Sequence, residues 1–592
     1  MRIGLAACLA AVLAATALPA GAQGVPGDQH SDNMRLVHRS PKEPPPGQTV
    51  AGTQSDLAFN DGYAYVMNYQ GFRIFDISNP EAPVQVEHFP CNGPQNDVVI
   101  AEAADGKDYM FTATDTPQTS EACNSTNTTA NDPAGSWEGV RVFDVTDPAN
   151  PQFIEAVPTD CGAHTITGVP DPANNRMYIY VSSYPLGAAA LTDQLPNQTK
   201  PDGTQCVEPH QKISIVRVNL ADPSTMDDRD GSGNYVNVIE DGLNIFTRLT
   251  NIAIGGRKFQ FAGCHDITVD LDHDRAAAAC WEEGQTWDIS NPENPNFLNR
   301  IRANSHENTM DVFHSSTYTW DGKIIVWGDE AGGGGEARCT DTESTQGRFW
   351  FTRNVSLRLL GSFKIPRPQS GNCTAHNMNV VPVTEERRYL LASSWYDGGT
   401  SIIDFSNPSK AREIAYYDGV DDPATPTVDE RANTWSTYWY NGYYYANDIN
   451  RGFEIYQMTS PQDDDYRPLP DLYNPQTQEG FVSGGCDVFG SEDGDELRGT
   501  DGDDVLCGFG GRDMIVGDEG NDLLIGGSGE DELRGKAGND ELWANNNDDT
   551  LHGGPGTDLL FGGLGADFLG GGLGVDACDG GPGDNAFRSC ES

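Results

Sequence analysis

The sequence is poor in basic residues. Its 592 residues include 88 acidic side chains and only 37 basic ones, so the formal net charge is −51. A surface of this sign repels phosphate backbones, which excludes nucleic acid as a partner. Hydrophobic residues still make up 37% of the chain, enough to build a core, so disorder throughout the chain is excluded as well. The length exceeds that of one typical domain and predicts two or more units.

Long hydrophobic runs are also absent beyond the N-terminus. No later stretch approaches the ~18 apolar residues of a membrane-spanning helix, so we expect no transmembrane segment. Residues 1–22 combine Arg2, a short apolar run and the small-x-small site Ala20-Gly21-Ala22, which is typical of a secretory signal peptide. The sequence therefore predicts a secreted, extracellular protein and leaves its attachment to the cell surface open.

The 13 cysteines lack the spacing of a zinc ribbon or a thiol redox site. Cys8 leaves with the signal peptide, and the other cysteines divide into an even group before residue 400 and an even group after residue 480. Even numbers in an exported chain predict disulfides closed within each domain. Pairing between sequence neighbours is the simplest arrangement, although connectivity does not follow from the sequence.

A sequence motif of alternating β-branched or aromatic residues, followed by a turn, recurs between residues 50 and 460. Its clearest copies are Gly71–Pro83, Gly139–Pro151, Gly284–Pro295 and Ser401–Pro408. The alternation is a strand signal, and the Asp-Pro or Asn-Pro pair that follows forms a turn. With the strands that precede each copy, there are seven units, beginning near residues 55, 96, 164, 265, 308, 376 and 433. Such repeats predict a seven-bladed β-propeller.

The predicted propeller spans residues 34–460, after an N-terminal segment at 23–33. Its seventh unit has only three strands, and the orphan strand Met34–His38 would supply the fourth and leave no open edge. The repeated motif resembles the LVIVD repeat of secreted bacterial β-propellers over roughly residues 35–460. That resemblance implies the fold and leaves the activity open. Residues 461–485 are rich in Pro, Asp and Gln and are predicted to form an extended linker.

A period of nine residues organises the tail, residues 486–592. Glycines that permit tight turns precede aspartates spaced nine residues apart, and an apolar side chain follows each aspartate two positions later. Two repeats make one coil of a flattened roll, so alternate aspartates stack in two ladders. Stacked carboxylates repel one another unless a cation lies between them, and oxygen ligands of irregular geometry favour Ca²⁺ over Mg²⁺. The predicted calcium ligands are Asp495, Asp504, Asp513, Asp522, Asp531, Asp540, Asp549, Asp558, Asp567 and Asp576.

The nine-residue pattern resembles the hemolysin-type (RTX) calcium-binding repeats, which implies several calcium ions and a parallel β-roll. The whole chain is thus predicted to be all-β, a seven-bladed β-propeller followed by an RTX-like roll. Without calcium we expect the roll to be disordered, because repulsion between its carboxylates opposes a small core.

Three histidines recur at equivalent positions, two residues before the first apolar residue of an inner strand. These are His164, His265 and His376, with His306 nearby. Such positions ring one mouth of a propeller channel, where imidazoles can bind a transition metal. The alternative is that these side chains hydrogen-bond the backbone at strand starts or face water in the channel.

Two functions are consistent with these patterns. The first is an exported calcium-binding protein whose propeller acts as a binding or adhesion module for an extracellular protein or glycan. The alternative is a secreted metal-dependent hydrolase or oxidase with a His-lined site at the channel mouth. The sequence has no Gly-x-Ser-x-Gly motif and no phosphate loop, so whether the protein is an enzyme, and its oligomeric state, stay open.

Overall fold

The computed structural model describes residues 29–590 except for several gaps. The gaps are 128–136, 160–161, 183–212, 227–249, 255–256, 262, 282, 303–309, 311, 331–338, 340–345, 368–370, 384–387, 420–430, 460–468, 479–487, 490–493, 501, 582 and 584. The predicted signal peptide and His306 lie outside the described residues, and so do Cys161, Cys206 and Cys486.

Seven antiparallel sheets form the blades of a β-propeller, as the repeats predict. In each blade the strands run from the channel outwards. Blade 1 consists of Gln54–Asn60, Tyr63–Asn68, Gly71–Asp76 and Val84–Pro90. Blade 2 consists of Gln95–Glu102, Asp108–Gln118, Trp137–Asp144 and Gln152–Pro158. Blade 3 contains Thr165–Asp171, Arg176–Ser182 and Ser214–Asn219, and a separate hairpin follows at Thr250–Ile254 and Arg257–Phe261.

The other four blades follow the same pattern. Blade 4 consists of Asp266–Asp270, Arg275–Cys280, Glu283–Asp288 and Asn296–Arg302. Blade 5 consists of Phe313–Tyr318, Ile324–Asp329, Phe349–Arg353 and Leu359–Phe363. Blade 6 consists of Met378–Val381, Leu390–Ser394, Thr400–Asp404 and Arg412–Asp418, with Gln29–His30 added at its outer edge. Blade 7 consists of Thr434–Tyr440, Tyr443–Asp448, Gly452–Met458 and Met34–Ser40.

The N-terminal strand closes the ring. Met34–Ser40 pairs antiparallel with Gly452–Met458, from Met34 opposite Met458 to Ser40 opposite Phe453. Pairing the first strand with the last blade protects an edge that would otherwise expose unpaired N–H and C=O groups. The structure confirms this predicted closure.

Turn residues set the hairpins within the blades. Asp61-Gly62 and Asn441-Gly442 are two-residue connections in which both residues have positive φ. This geometry matches the right-handed twist of the flanking strands, and Asp, Asn and Gly adopt it at little cost. The 3₁₀ turns within the described ranges are Pro172–Asn174, Pro223–Thr225, Leu271–His273 and Pro408–Lys410. The described residues contain no α-helix, and none of their helices is long and apolar enough to cross a membrane.

Part of the segment predicted as an extended linker lies in the propeller channel, so that prediction is wrong for Leu469–Gln478, the channel plug. Tyr473 exchanges two backbone hydrogen bonds with Phe59, and the Asn474 side chain bonds both backbone groups of Ile100. Thr477–Gln478 pairs in parallel with the inner strand of blade 4. The inner strands leave backbone groups facing the channel, and the polar side chains of the plug satisfy them. Residues 461–468 and 479–485 lie outside the described residues.

The tail forms two parallel sheets wound into a roll, as predicted. One sheet contains Val488–Phe489, Val505–Gly510, Leu523–Ser528, Glu541–Asn546, Leu559–Leu564 and Ala577–Asp579. The other contains Glu496–Arg498, Met514–Glu519, Glu532–Ala537, Thr550–Gly556, Phe568–Gly574 and Ala586–Arg588. Neighbouring strands pair residues 18 positions apart, as Leu506 with Leu524. The apolar residues that follow the aspartates fill the interior between the two sheets.

Where both cysteines are described, four disulfides join sequence neighbours and stay within the propeller or within the roll. They are Cys91–Cys123, Cys264–Cys280, Cys339–Cys373 and Cys578–Cys590. The bridge Cys264–Cys280 links the start of the inner strand of blade 4 to the end of its second strand, next to His265.

Candidate functional site

The stacked aspartates of the roll form two ladders with a regular contact. Oδ1 of Asp549 accepts the backbone N–H of Asp531 at 2.8 Å, and Oδ1 of Asp567 accepts that of Asp549 at 3.0 Å. The second oxygen, Oδ2, lies against a glycine of the preceding turn: a Cβ at Gly517 would stand 2.2 Å from Oδ2 of Asp522. Glycine stands at this position, five residues before the aspartate, along most of the ladders and leaves room for the carboxylates to point into the turns. Ala544 stands there before Asp549.

Most of these second oxygens are buried and have no hydrogen-bond partner among the described residues. They belong to Asp513, Asp522, Asp531, Asp540, Asp549, Asp558, Asp567 and Asp576. A buried oxygen without a donor is costly unless a cation binds it. Asp504 differs, because Oδ2 accepts bonds from the backbone and hydroxyl of Thr500. The donor set of the other eight, carboxylate oxygens in glycine turns, fits calcium.

Burial raises the pKa values of several ladder aspartates. It raises the pKa of Asp549 to about 8 and that of Asp540 to about 7, and neighbouring ladder carboxylates add to both shifts. Burial also raises the pKa of Asp522, Asp531 and Asp558 to about 6. In the absence of a cation, protons therefore take the place of the missing positive charge.

These shifts predict how the calcium-free roll responds to pH. A carboxyl whose folded pKa lies above its unfolded value of 3.8 binds its proton more tightly in the folded state. The stability it contributes is complete below that unfolded value and is lost as pH rises towards 8. In EGTA, we expect circular dichroism to report more β structure at pH 5 than at pH 8, whereas calcium removes the difference. Equal spectra at both pH values in EGTA would contradict this assignment.

In the propeller, the structure brings the predicted histidines together and adds one more. His164, His265 and His376 lie at inner-strand starts, and His314 completes the set, which we call the histidine cluster. His314 is the extra residue of an irregularity in blade 5, where Phe313 pairs with Asp329 and Ser315 with Gly328. Bulges of this kind re-aim side chains at functional sites. The repeat pattern places the start of the fifth unit near residue 308, and His314 is therefore absent from the predicted set.

All four imidazoles are buried and in contact around the channel mouth. The Nε2 atoms of His164 and His265 lie 2.9 Å apart. The ring centroids of His265 and His314 are separated by 3.7 Å, and those of His314 and His376 by 4.4 Å. The cluster is thus a continuous row of rings from blade 3 to blade 6.

Glu330, which follows the second strand of blade 5, adds a carboxylate to the cluster. Its Oε2 lies 3.5 Å from Nε2 of His314, and its Oε1 lies 3.8 Å from Nε2 of His376. Ligand atoms of His265, His314 and Glu330 all lie within 4.8 Å of one another. The hydroxyl of Tyr396 donates to Oε1 of Glu330 at 2.5 Å and holds the carboxylate in place.

Hydrogen bonds on the far side of the rings fix which nitrogen faces inwards. Nδ1 of His164 lies 2.7 Å from Oδ2 of Asp115, and Nδ1 of His376 lies 2.6 Å from the carbonyl of Trp435. Both partners accept, so Nδ1 donates in each ring, and Nε2 of the neutral His376 ring keeps a lone pair. Nε2 of His164 faces Nε2 of His265 and the side-chain nitrogen of Gln95, 3.2 Å away. Metal-binding histidines are oriented in the same way by carboxylates and backbone carbonyls.

Three rings of the cluster are held neutral by their surroundings. Burial lowers the pKa of His376 to about 3 and takes the pKa of His265 and His314 well below the usual 6.5, with repulsion between the rings adding to the shifts. Neutral imidazoles are the form that binds metals. The residues therefore offer nitrogen lone pairs and one carboxylate to a common centre.

Aromatic side chains surround this centre. Trp281 lies 5.7 Å from His265, and Trp435 lies 4.6 Å from His376, measured between ring centroids. Tyr69 of blade 1 lies 6.4 Å from Trp435, and burial raises its pKa, with Asp115 and Glu330 adding to the shift. Trp435, Tyr396 and Tyr69 are half-buried, so they separate the cluster from the solvent at the mouth.

Comparison with known families matches both repeats. Residues 51–90 match the LVIVD repeat. Residues 489–524, 525–560 and 552–586 match the RTX calcium-binding nonapeptide repeat (4 copies). None of the curated proteins matches the chain. The predicted resemblances are confirmed, and the tail carries calcium-binding repeats.

Proposed function

We propose that this propeller with a calcium-binding roll is an exported metalloenzyme, a hydrolase or oxidase whose transition metal binds at the channel mouth. The ligands are drawn from His164, His265, His314, His376 and Glu330. The observation that carries the proposal is the convergence of three buried imidazoles, those of His265, His314 and His376, on the carboxylate of Glu330. His164 adjoins this group through its contact with His265. The predicted signal peptide and the disulfides support export, because disulfides persist in oxidising compartments.

Hydrogen bonding at strand starts does not account for the cluster. Where a histidine bonds the backbone, as His376 bonds the carbonyl of Trp435, it uses the nitrogen that faces away from the centre. Nε2 of His376 and Nδ1 of His314 have no hydrogen-bond partner among the described residues. Each such buried atom costs about 1–3 kcal/mol unless it finds a ligand. A metal ion at the centre would offset this cost.

The donor set suits zinc, copper, iron or manganese, which accept imidazole nitrogen together with carboxylate oxygen. Such an ion, when bound, acts as a Lewis acid or a redox centre. Glu330 lies at the centre and can hold a proton there, while Tyr396 positions its carboxylate. The aromatic rim limits the entry of water, which strengthens electrostatic interactions inside the mouth.

An activity screen tests this proposal. The protein is loaded with Zn²⁺ or Cu²⁺ in calcium buffer and assayed on chromogenic carboxylic and phosphate esters, and on phenols and thiols with oxygen. We expect metal-dependent turnover in one of these groups. Metal binding without turnover, or no binding at all, would favour the display module that binds an extracellular protein or glycan.

A positioning variant adds a readout that does not depend on the substrate. Asp115→Asn removes the carboxylate that orients His164, and we expect Zn²⁺ affinity to fall about 10–100-fold. Asp270→Asn is the matched control, because Asp270 holds His273 through a similar 2.6 Å contact outside the cluster. Equal affinities in the two variants, measured by chelator competition, would contradict the role of His164.

A further inference from the structure

One outer face of the roll is apolar. Cys507, Leu523, Ile525 and Trp543, which we call the outer strip, pack together on the sheet that begins at Val488. Their neighbours in the chain, such as Leu506 and Leu524, fill the interior, so the strip points outwards. Many corresponding positions on the other sheet carry polar residues, including Glu532, Arg534 and His552, although Met514, Val516 and Phe568 are apolar. The two outer faces therefore differ in what they can contact.

A turn of blade 5 packs against the outer strip. It connects strands Phe349–Arg353 and Leu359–Phe363, and the side chain of Val355 contacts the strip. Val355 has φ +34° and Leu357 has φ +52°, a backbone region that branched and bulky residues rarely adopt. Asn299 donates a 2.7 Å hydrogen bond to the carbonyl of Val355 and holds the turn in this form.

A buried glutamate on the same face, Glu541, pairs with two arginines that flank that turn. Oε2 of Glu541 lies 3.7 Å from Nη1 of Arg353 and 3.6 Å from Nη1 of Arg358, and its side chain is only 8% exposed. Its other oxygen accepts the indole N–H of Trp543 at 3.1 Å. Burying this acid is favourable only while the two cations cover it.

The strip exists only when the coils are stacked. Cys507, Ile525 and Trp543 stand 18 residues apart and therefore come from three successive coils. Leu523 and Glu541 are also 18 residues apart and come from two successive coils. Loss of calcium would therefore disperse the whole surface. Blade 5, which the surface contacts, also carries His314 and Glu330 of the channel mouth.

We infer that the calcium-loaded roll is a clamp on blade 5 of its own chain, so that calcium stabilises the propeller and tightens its transition-metal site. The outer strip and Glu541 form the docking surface, and the turn around Val355 is its occupant. The effect on the metal site rests on the proposed function, whereas the docking does not.

Variants on the propeller side test the clamp without altering the roll. Val355→Gly removes the contacting side chain at a backbone conformation that glycine adopts freely, and Arg358→Glu reverses one covering charge. Tryptophan fluorescence follows propeller unfolding, because only Trp543 of the 10 tryptophans lies in the roll. We expect 1 mM Ca²⁺ to raise the wild-type Tm by about 3 °C or more relative to EGTA, and the variants to lose at least half of that rise.

Roll-side variants give the matched control. Glu541→Arg places a like charge against Arg353 and Arg358 and should abolish the rise. Glu532→Arg, at a half-buried position on the opposite sheet beside Arg534, should keep it. Combining Glu541→Arg with Arg358→Glu should restore part of the rise. An equal calcium-induced rise in wild type and all variants would overturn the clamp.

Zinc affinity, measured with and without calcium, separates the two proposals. We expect calcium to tighten zinc binding about threefold or more in wild type and not in Arg358→Glu. A Tm response without any change in zinc affinity would overturn the coupling and leave the docking. If zinc binds to none of the proteins, the proposed function fails, while the Tm series still decides the clamp.

Discussion

Removal of calcium is expected to unfold the β-roll while the propeller stays folded. Eight buried carboxylate oxygens along the two ladders have no donor within the described residues, and successive carboxylates repel one another. The interior that opposes this repulsion is a single row of leucine and isoleucine side chains per sheet. In EGTA at pH 8, we expect circular dichroism to lose the signal of the roll and size-exclusion chromatography to show a larger radius.

A single ladder residue should carry much of this effect. Asp549 lies mid-ladder, and Asp549→Asn removes one charge from the ligands of neighbouring turns. We expect the calcium concentration at half-folding to rise about tenfold or more, because ligand charge sets calcium affinity over several decades. Asp548→Asn, at the exposed neighbouring position, is the control and should change it little. Identical calcium titrations of the two variants would contradict the ladder assignment.

The second large effect concerns the histidine cluster. His314 contacts His265 and His376 and lies nearest to Glu330, so His314→Ala removes a central donor. We expect transition-metal affinity to fall more than about 100-fold, since a site of this kind has few ligands to spare. Zn²⁺ competition titrations measure the loss directly, and Tm in calcium buffer checks the fold.

The matched control for this loss is His273→Ala. His273 is a half-buried histidine bonded to a carboxylate, as His164 is, but it lies in a 3₁₀ turn outside the cluster. We expect wild-type affinity in this variant. Unchanged zinc affinity in His314→Ala with a normal Tm would show that the cluster does not bind the metal.

Periodicity predicts the architecture because it repeats the same physical requirement many times. The motif beginning at Gly71 recurs with the same kind of turn residues, and the structure places a blade at each of the seven predicted units. The nine-residue period likewise fixes which side chains enter the roll and which reach its turns. The orphan strand Met34–Ser40 could be matched to blade 7 because a three-stranded unit leaves an edge open.

Features that depend on one irregular residue or on a distant contact could not be predicted in this way. His314 faces the centre because the inner strand of blade 5 gains one residue, and that shift leaves no periodic signal. Glu330 joins the site from the end of another strand. The channel plug has the polar composition of a linker, so its sequence gives no sign of its position. Asn474 binds in the channel because the backbone N–H and C=O of Ile100 need hydrogen-bond partners there.

Metal analysis of the purified protein tests the central claim most directly. The protein is dialysed in calcium buffer and its metals are quantified by mass spectrometry, together with those of His265→Ala. The account predicts several calcium ions in both proteins, and one tightly bound transition-metal ion per chain in the wild type alone. Calcium without any transition metal in the wild type, also after exposure to zinc, copper, iron and manganese, would contradict it.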